Sequence, residues 1–203
     1  TKVDALGNVL VTRPGSSPAP RMKVMLAAHM DEVGFMLVDD GEEGQFRFEL
    51  VGGVDVRQLP GKPVLVGKEN LPGVIGARPI HLTTAGQRKN KIPLDTLRID
   101  VGPGNNSKVK AGERASFATP FARLGPSLRG KALDDRLGVA TLIELVRHAP
   151  PEIDLLAAFT VQEEVGLRGA QVAAYAFNPD LGIALDCTPA LDLPTWDDEE
   201  NTR

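Results

Sequence analysis

Three uninterrupted apolar runs are the clearest pattern in this sequence. They lie at Val24–Ala28, Leu155–Val161 and Leu181–Leu185. A continuous run of this length is typical of a strand that is buried on both faces, as in a parallel sheet. Each run is closely followed by residues that can hold a metal ion, namely His29, Glu163-Glu164 and Asp186. Because ligands bind at the carboxyl ends of strands in open α/β sheets, we expect these side chains to meet at one edge of a sheet.

Helical periodicity appears between the later runs. Apolar residues at i, i+3, i+4 and i+7 spacing form a predicted stripe of Leu137, Val139, Ala140, Leu142, Ile143 and Val146. Asp134 and Asp135 precede this stripe, where an N-cap and a first helical turn are expected, and Pro150-Pro151 ends the helix. A shorter helix is predicted over Gly169–Ala176.

Residues 42–125, in the middle of the chain, show a different sequence pattern. Short β-like runs at Phe46–Val51, Pro63–Val66 and Leu97–Val101 alternate with glycine and proline, and no long helical period appears. The polar segment Gln87–Lys91 suits an exposed loop. We therefore predict an α/β fold, with a mixed sheet flanked by helices built from residues 1–41 and 126–203 and a β-barrel-like domain inserted at 42–125.

Composition, net charge and cysteine count limit the classes of function that we expect. Apolar residues make up 42% of the 203 residues, which is enough for a packed core, and the net charge of −4 gives no reason to expect a nucleic acid or a membrane surface as partner. No apolar run approaches the roughly 20 residues of a membrane helix. The single cysteine, Cys187, excludes a disulfide within the chain and favours a reducing, cytoplasmic setting.

Each candidate site residue also has an ordinary explanation when taken alone. His29 could be a structural histidine, and Asp134-Asp135 could be a helix cap with a surface ion pair. The adjacent Glu163 and Glu164 are harder to explain, because neighbouring carboxylates repel each other unless a positive charge compensates them. Together with Asp186, these elements favour a bound cation over coincidence.

Four segments resemble the signature blocks of the tetrahedral (TET) and glutamyl aminopeptidases. They are Ala28–Gly34, Lys131–Arg136, Val161–Gly166 and Ala184–Asp186, and Gly73–His81 resembles the entry to that family's inserted dimerisation domain. The blocks occur in the family's order, and the resemblance covers nearly the whole chain. The resemblance implies a two-metal aminopeptidase that removes the N-terminal residue of peptides with a metal-bridging water.

The resemblance also implies a role for each site residue. His29, Asp134 and Asp186 would hold one metal ion, Asp134 would bridge to a second ion, and Glu164 would bind that second ion. Glu163 would be the general base, and Asp31 would orient His29. The implied cofactors are two divalent ions, zinc or cobalt. The implied partners are a peptide substrate and further copies of the chain, in a dimer or a dodecamer.

Two departures from the family pattern leave an alternative open. The family's last histidine ligand has no match here, since His81 lies in the inserted domain and His148 at a predicted helix end. The chain also begins at Thr1 and stops at Arg203 as if cut from a longer protein. The alternative is a non-catalytic fragment that binds one metal ion and oligomerises. A glycoside hydrolase is disfavoured, because that chemistry needs carboxylates about 5–9.5 Å apart on opposite sides of the bond.

Overall fold

The computed structural model of the chain describes residues 1–190, which contain fourteen strands and three α-helices. The strands are β1 (Lys2–Val3), β2 (Val9–Arg13), β3 (Met22–His29), β4 (Gly34–Leu37), β5 (Gln45–Phe46), β6 (Phe48–Val51), β7 (Pro63–Val66), β8 (Leu71–Gly76), β9 (Arg98–Asp100), β10 (Arg114–Phe117), β11 (Ala122–Leu124), β12 (Ser127–Arg129), β13 (Ile153–Thr160) and β14 (Leu181–Ala184). The helices are α1 (Ala85–Lys89), α2 (Leu133–Arg147) and α3 (Arg168–Phe177).

The chain forms two compact units. The first unit contains Thr1–Met30, Leu133–Val161 and the described residues from Gly169 onward, and the second contains Asp31–Ala132 and Gln162–Arg168. The division falls at Asp31 rather than at residue 42, because β4 pairs with β6 and β10 in the sheet of the second unit. The part of the predicted catalytic domain at 191–203 lies outside the described residues.

The first unit is built on a mixed sheet with the strand order β1-β2-β13-β3-β14. The strands β3, β13 and β14 run parallel, and β2 lies antiparallel to β13. Residue pairing along β3 and β13 ends with Thr160 opposite His29. All three apolar runs of the sequence therefore point their carboxyl ends at the same edge of the sheet.

Strand β13 alternates its apolar side chains between two cores, as the period of two requires. On one face Leu155, Ala157 and Phe159 pack in a cluster that includes Leu142 of α2, while on the other face Leu156 and Ala158 pack in a cluster that includes Ala173 of α3. The sheet thus has helical residues in the cores of both faces, which confirms the predicted α/β class.

The second unit is a seven-stranded antiparallel sheet in the order β5-β9-β8-β7-β10-β4-β6, with a separate β11–β12 hairpin. Its core is a single cluster of buried aliphatic and aromatic side chains. Phe35 makes edge-to-face contacts with Phe48 and Phe117, with ring centroids 5.3 and 5.1 Å apart. This arrangement confirms the predicted barrel-like β-rich region.

Three details of the sequence prediction need correction. Strand β14 is exposed along its length rather than buried on both faces, because it is the outermost described strand of its sheet. In α2 the side chains of Leu137 and Ile143 are largely exposed, since only one face of the helix lies on the sheet. Part of the predicted loop Gln87–Lys91 belongs to the short helix α1, which Thr84 and Gln87 stabilise through a capping box. Within residues 1–190, no helix has the length and apolar character needed to cross a membrane.

Candidate metal centre

His29 occupies the last position of β3 and is only 3% exposed. Its neighbour Met30 continues the ladder by donating its backbone N–H to the carbonyl of Thr160 at 2.7 Å. The apolar residues of the run thus fix the backbone that presents the imidazole at the carboxyl edge of the sheet. A ring held in this way loses little further conformational freedom on binding a ligand.

Asp134 and Asp186 approach the imidazole of His29 from two other elements of the first unit. The Nε2 of His29 lies 3.1 Å from an Oδ1 of Asp134 and 3.8 Å from an Oδ1 of Asp186. Asp134 comes from the start of α2, and Asp186 follows β14, whose ladder with β3 continues as Leu185 donates to the carbonyl of Ala27 at 2.8 Å. Both carboxylates are about half exposed, so both can accept a ligand.

These spacings fit a single small cation. Ligands about 2.0–2.1 Å from a tetrahedral zinc ion lie roughly 3.3 Å from one another, and the two measured separations lie on either side of that value. An imidazole nitrogen with carboxylate oxygens is a donor set that suits zinc, cobalt and similar divalent ions. The residues present therefore fit a divalent metal ion.

Asp135 behaves differently from its neighbour Asp134. It is fully buried, and its carboxylate accepts the backbone N–H of His29 at 3.1 Å and that of Gly138 at 3.1 Å. The bond to Gly138 caps the helix, because Asp134 and Asp135 have non-helical backbone angles and the regular turns begin after them. Burial raises the pKa of Asp135, although the two N–H donors lower it in part.

A thiol also lies among the carboxylates of the first unit. Asp134, Asp135 and Cys187 each have a potential ligand atom within 4.8 Å of the others, as do His29, Asp135 and Asp186. The Sγ of Cys187 donates to the carbonyl of Leu133 at 3.6 Å. Burial, followed by the charges of the nearby carboxylates, raises the pKa of the Cys187 thiol, which disfavours the thiolate form that binds metals.

The second unit holds the other predicted site residues. Asp31 accepts the backbone N–H of Glu163 at 3.1 Å through one carboxylate oxygen and that of Glu164 at 3.2 Å through the other. The carboxylate of Asp31 thus fixes the backbone on which both glutamates are carried. The sequence did not suggest this contact, and the predicted role of Asp31 in orienting His29 stays a prediction.

Gly52 makes room for Glu164 in the second unit. Its φ of +91° is in a region that side-chain-bearing residues rarely adopt. A Cβ built on Gly52 would lie 2.9 Å from Cγ1 of Val33 and 3.2 Å from Cβ of Glu164. The absence of a side chain at position 52 therefore lets this backbone pass close to the start of the Glu164 side chain.

Comparison with known proteins identifies the chain's relatives. The sequence profile described as M42 glutamyl aminopeptidase matches residues 7–202. The chain belongs to the M42 family. It is 36% identical to the lysyl aminopeptidase of Pyrococcus furiosus over 197 residues, which are 92% of this chain and 56% of that protein. The chain thus spans a little over half the length of this relative.

Two solved aminopeptidase and peptidase structures have a similar fold. The aminopeptidase APDkam598 of Desulfurococcus kamchatkensis matches with a TM-score of 0.88 at 33% identity, over 100% of this chain and 57% of that one. The TET1 peptidase of Pyrococcus horikoshii, which can assemble into a tetrahedron or a large octahedral shell, matches with a TM-score of 0.78 at 37% identity, over 94% of this chain and 60% of that one.

The two remaining histidines of this M42 chain lie on exposed parts of their units. His148 directly follows the last residue of α2, where its Nδ1 lies 3.0 Å from the carbonyl of Glu144. His81 belongs to a short 3₁₀ turn, Ile80–Leu82, in the second unit. Neither follows a strand of the five-stranded sheet, which is the position that His29 and Asp186 share.

Proposed function

We propose that the complete protein is a metal-dependent aminopeptidase that hydrolyses the first peptide bond of a peptide with a free N-terminus. The observation that carries this proposal is the approach of Asp134 and Asp186 to Nε2 of His29, at 3.1 and 3.8 Å. Membership of the M42 family and the similarity to a lysyl aminopeptidase support the same activity.

His29, Asp134 and Asp186 would hold the first ion in this proposal, and Asp134 and Glu164 would hold a second. Asp134 is preferred to Asp135 because it is about half exposed, whereas Asp135 is fully buried and both of its oxygens accept backbone N–H groups. Asp135 therefore positions the backbone of His29 and caps α2.

Chain connectivity supports roles for Asp31, Glu163 and Glu164 in the same chemistry. Asp31 follows His29 by two residues, and Glu163 follows Thr160, the ladder partner of His29, by three. A fully extended chain advances about 3.3 Å per residue, so two or three residues span at most roughly 7–10 Å. We take their roles from the resemblance to the TET aminopeptidases.

Glu163 acts as the general base in this mechanism. It takes the proton of the attacking water and returns it to the leaving amine, while Asp31 holds the Glu163 backbone N–H. When bound, the divalent ions, zinc or cobalt, polarise the scissile carbonyl and activate the water.

The ligands of this chain favour one tightly held ion and little turnover from the 203-residue chain itself. Among the described residues, the first site would have three protein ligands, the number usual for a catalytic zinc, whereas the second would have Asp134 and Glu164. A non-catalytic fragment that binds one metal ion and oligomerises is the corresponding alternative.

Oligomerisation through the second unit belongs to the same proposal. The β11–β12 hairpin and its preceding residue expose Phe121, Leu124 and Leu128, which are 69, 54 and 49% exposed. Large exposed apolar side chains that cluster on a surface are typical of an interface. Light scattering of the chain and of a Phe121→Ser, Leu128→Ser variant tests this proposal: the wild type is a dimer or larger and the variant a monomer, while equal masses would contradict it.

The catalytic assignment is tested on the complete gene product with an aminoacyl-p-nitroanilide and metal analysis. Glu163→Gln lowers kcat by at least about 10²–10⁴-fold and leaves the metal content intact. Glu164→Gln lowers the metal content as well. If Glu163→Gln loses metal while Glu164→Gln keeps the wild-type metal content, the roles of the two glutamates are exchanged. Turnover by Glu163→Gln at the wild-type rate would overturn the proposed base.

A further inference from the structure

The loop formed by residues 162–168 carries Glu163 and Glu164 in a conformation that needs support. Gln162 and Leu167 both have a φ of +58°, the left-handed region that residues with side chains seldom adopt. Such residues persist when the surrounding structure dictates their conformation. The loop therefore needs contacts that hold it in this conformation, and such contacts are made at its two ends, Val161 and Gly169.

Asn8 bridges the two ends of the loop inside the first unit. Its Oδ1 accepts the backbone N–H of Val161 at 3.0 Å, and its Nδ2 donates to the carbonyl of Gly169 at 3.1 Å. The Gly169 N–H also donates to the carbonyl of Val161 at 3.0 Å. Asn8 is fully buried, so water does not replace these bonds.

Asp4 fixes the orientation of Asn8. One oxygen of Asp4 accepts the backbone N–H groups of Leu6, Gly7 and Asn8, each at 2.9 Å, which folds the connection between β1 and β2 into a tight turn. The other oxygen accepts Nδ2 of Asn8 at 2.7 Å. The Asn8 side chain therefore uses one acceptor and two donors, a combination that aspartate and apolar residues lack.

Gly169 completes the arrangement, because a Cβ at this position would overlap the carbonyl of Val161 and the side-chain oxygen of Asn8. The closed base of the loop thus uses both the side-chain amide of Asn8 and the absence of a side chain at Gly169. Neither residue is a predicted metal ligand, and neither was identified from the sequence pattern.

We infer that Asn8 is a positioning residue, which holds the loop closed and thereby sets the backbone of Glu163 and Glu164. The importance of this backbone position for catalysis rests on the proposed function. The closure of the loop does not depend on that function, and backbone amides of the loop report on the closure directly. Within the loop, Gly166 and Leu167 donate to the carbonyl of Glu163 at 2.9 Å each, and Arg168 donates to that of Gln162 at 3.1 Å.

Amide hydrogen exchange of the 203-residue chain, followed by NMR, tests the inference. The reporters are the amides of Gly166, Leu167, Arg168 and Gly169, and the reference is the amide of Ala157 in the middle of β13. The variants are Asn8→Ala and Gly169→Ala. Gly182→Ala is the matched control, because a Cβ on Gly182 meets nothing within 4 Å.

Asn8→Ala and Gly169→Ala are expected to raise exchange at the four reporters by at least about tenfold relative to Ala157, because the loop opens locally. Gly182→Ala leaves the ratio unchanged. The double variant Asp4→Asn, Asn8→Asp restores the bond between positions 4 and 8 but leaves the carbonyl of Gly169 without its donor. It should therefore not restore reporter protection.

Reporter amides that keep wild-type protection in Asn8→Ala and Gly169→Ala would overturn the inference. Exchange that rises by the same factor at the reporters and at Ala157 would also overturn the inference, because that result describes a loss of overall stability. Zinc binding by the wild-type chain is measured on the same samples. Its absence would count against the proposed function and would leave the exchange result to decide the role of Asn8.

Discussion

The Nε2 of His29 lies 3.1 Å from an Oδ1 of Asp134, although the two residues are far apart in sequence. The imidazole is presented by the end of a buried strand, and the carboxylate by the irregular start of a helix. Asp135 links the two elements, because it accepts the backbone N–H groups of both His29 and Gly138. The two adjacent aspartates thus differ: Asp134 lies partly exposed beside the imidazole, and Asp135 holds the backbone.

Substitution of each aspartate by asparagine tests this difference. Asp135→Asn should lower the free energy of unfolding of the metal-free chain by about 2–3 kcal/mol, because an amide replaces one of two buried acceptors and faces an N–H donor. Asp134→Asn should change it by less than about 0.5 kcal/mol, since the side chain is about half exposed. Urea unfolding in EDTA measures both. Equal losses for the two variants would contradict this difference.

Gly52 and Gly53 provide a matched pair in the second unit. Gly52→Ala should destabilise the chain by at least about 1 kcal/mol, because a φ of +91° is unfavourable for alanine and the new Cβ meets Val33 and Glu164. Gly53→Ala should be nearly neutral, since its Cβ meets nothing within 4 Å. Thermal unfolding compares the two variants, and a Gly52→Ala variant as stable as Gly53→Ala would argue against the tight passage beside Glu164.

Acid should remove a specific contribution of Asp154 to stability. A hydrogen bond from Arg21 at 2.7 Å, and one from the Gly15 N–H at 3.0 Å, hold the pKa of Asp154 below its ordinary value of 3.8. A carboxyl with a depressed folded-state pKa stabilises the fold above its unfolded-state pKa and loses that effect as the pH falls through the folded-state value. The contribution is therefore full at pH 6 and declines below about pH 4.

The measurement is the urea midpoint of the wild type and of Asp154→Asn between pH 6 and pH 2.5. The wild type should be more stable at pH 6, and the difference should shrink on acidification. Glu152→Gln, a change at an exposed carboxylate two residues earlier, is the control and should show a smaller effect. A difference that grows as the pH falls would reverse the assigned sign.

The positions of the first-unit site residues follow from the sequence because strand burial and sheet topology leave few choices. The apolar runs before His29 and Asp186 predicted parallel strands, and their common edge brings both residues together. By contrast, Asn8 could not be recognised in this way. Its importance depends on Val161 and Gly169, whose approach is set by the closed loop and has no signature in hydrophobic periodicity.

The different contacts of Asp134 and Asp135 could not be predicted from their spacing in the sequence either. The sequence places both at a helix start, but which carboxylate faces the backbone depends on the local chain path before the first regular turn. The same limit applies to Asp31. Its position after β3 indicated a partner for His29, while its contacts with the N–H groups of Glu163 and Glu164 depend on a loop more than a hundred residues later.

Calorimetric zinc titration of the metal-free chain tests the central claim most directly. We predict one tight ion per chain, held by His29, Asp134 and Asp186, with affinity reduced at least about tenfold in His29→Ala and unchanged in His148→Ala, whose histidine lies exposed beyond the end of α2. Circular dichroism confirms that each variant is folded. Absence of tight binding by the wild type, or equal binding by the wild type and His29→Ala, would contradict the account.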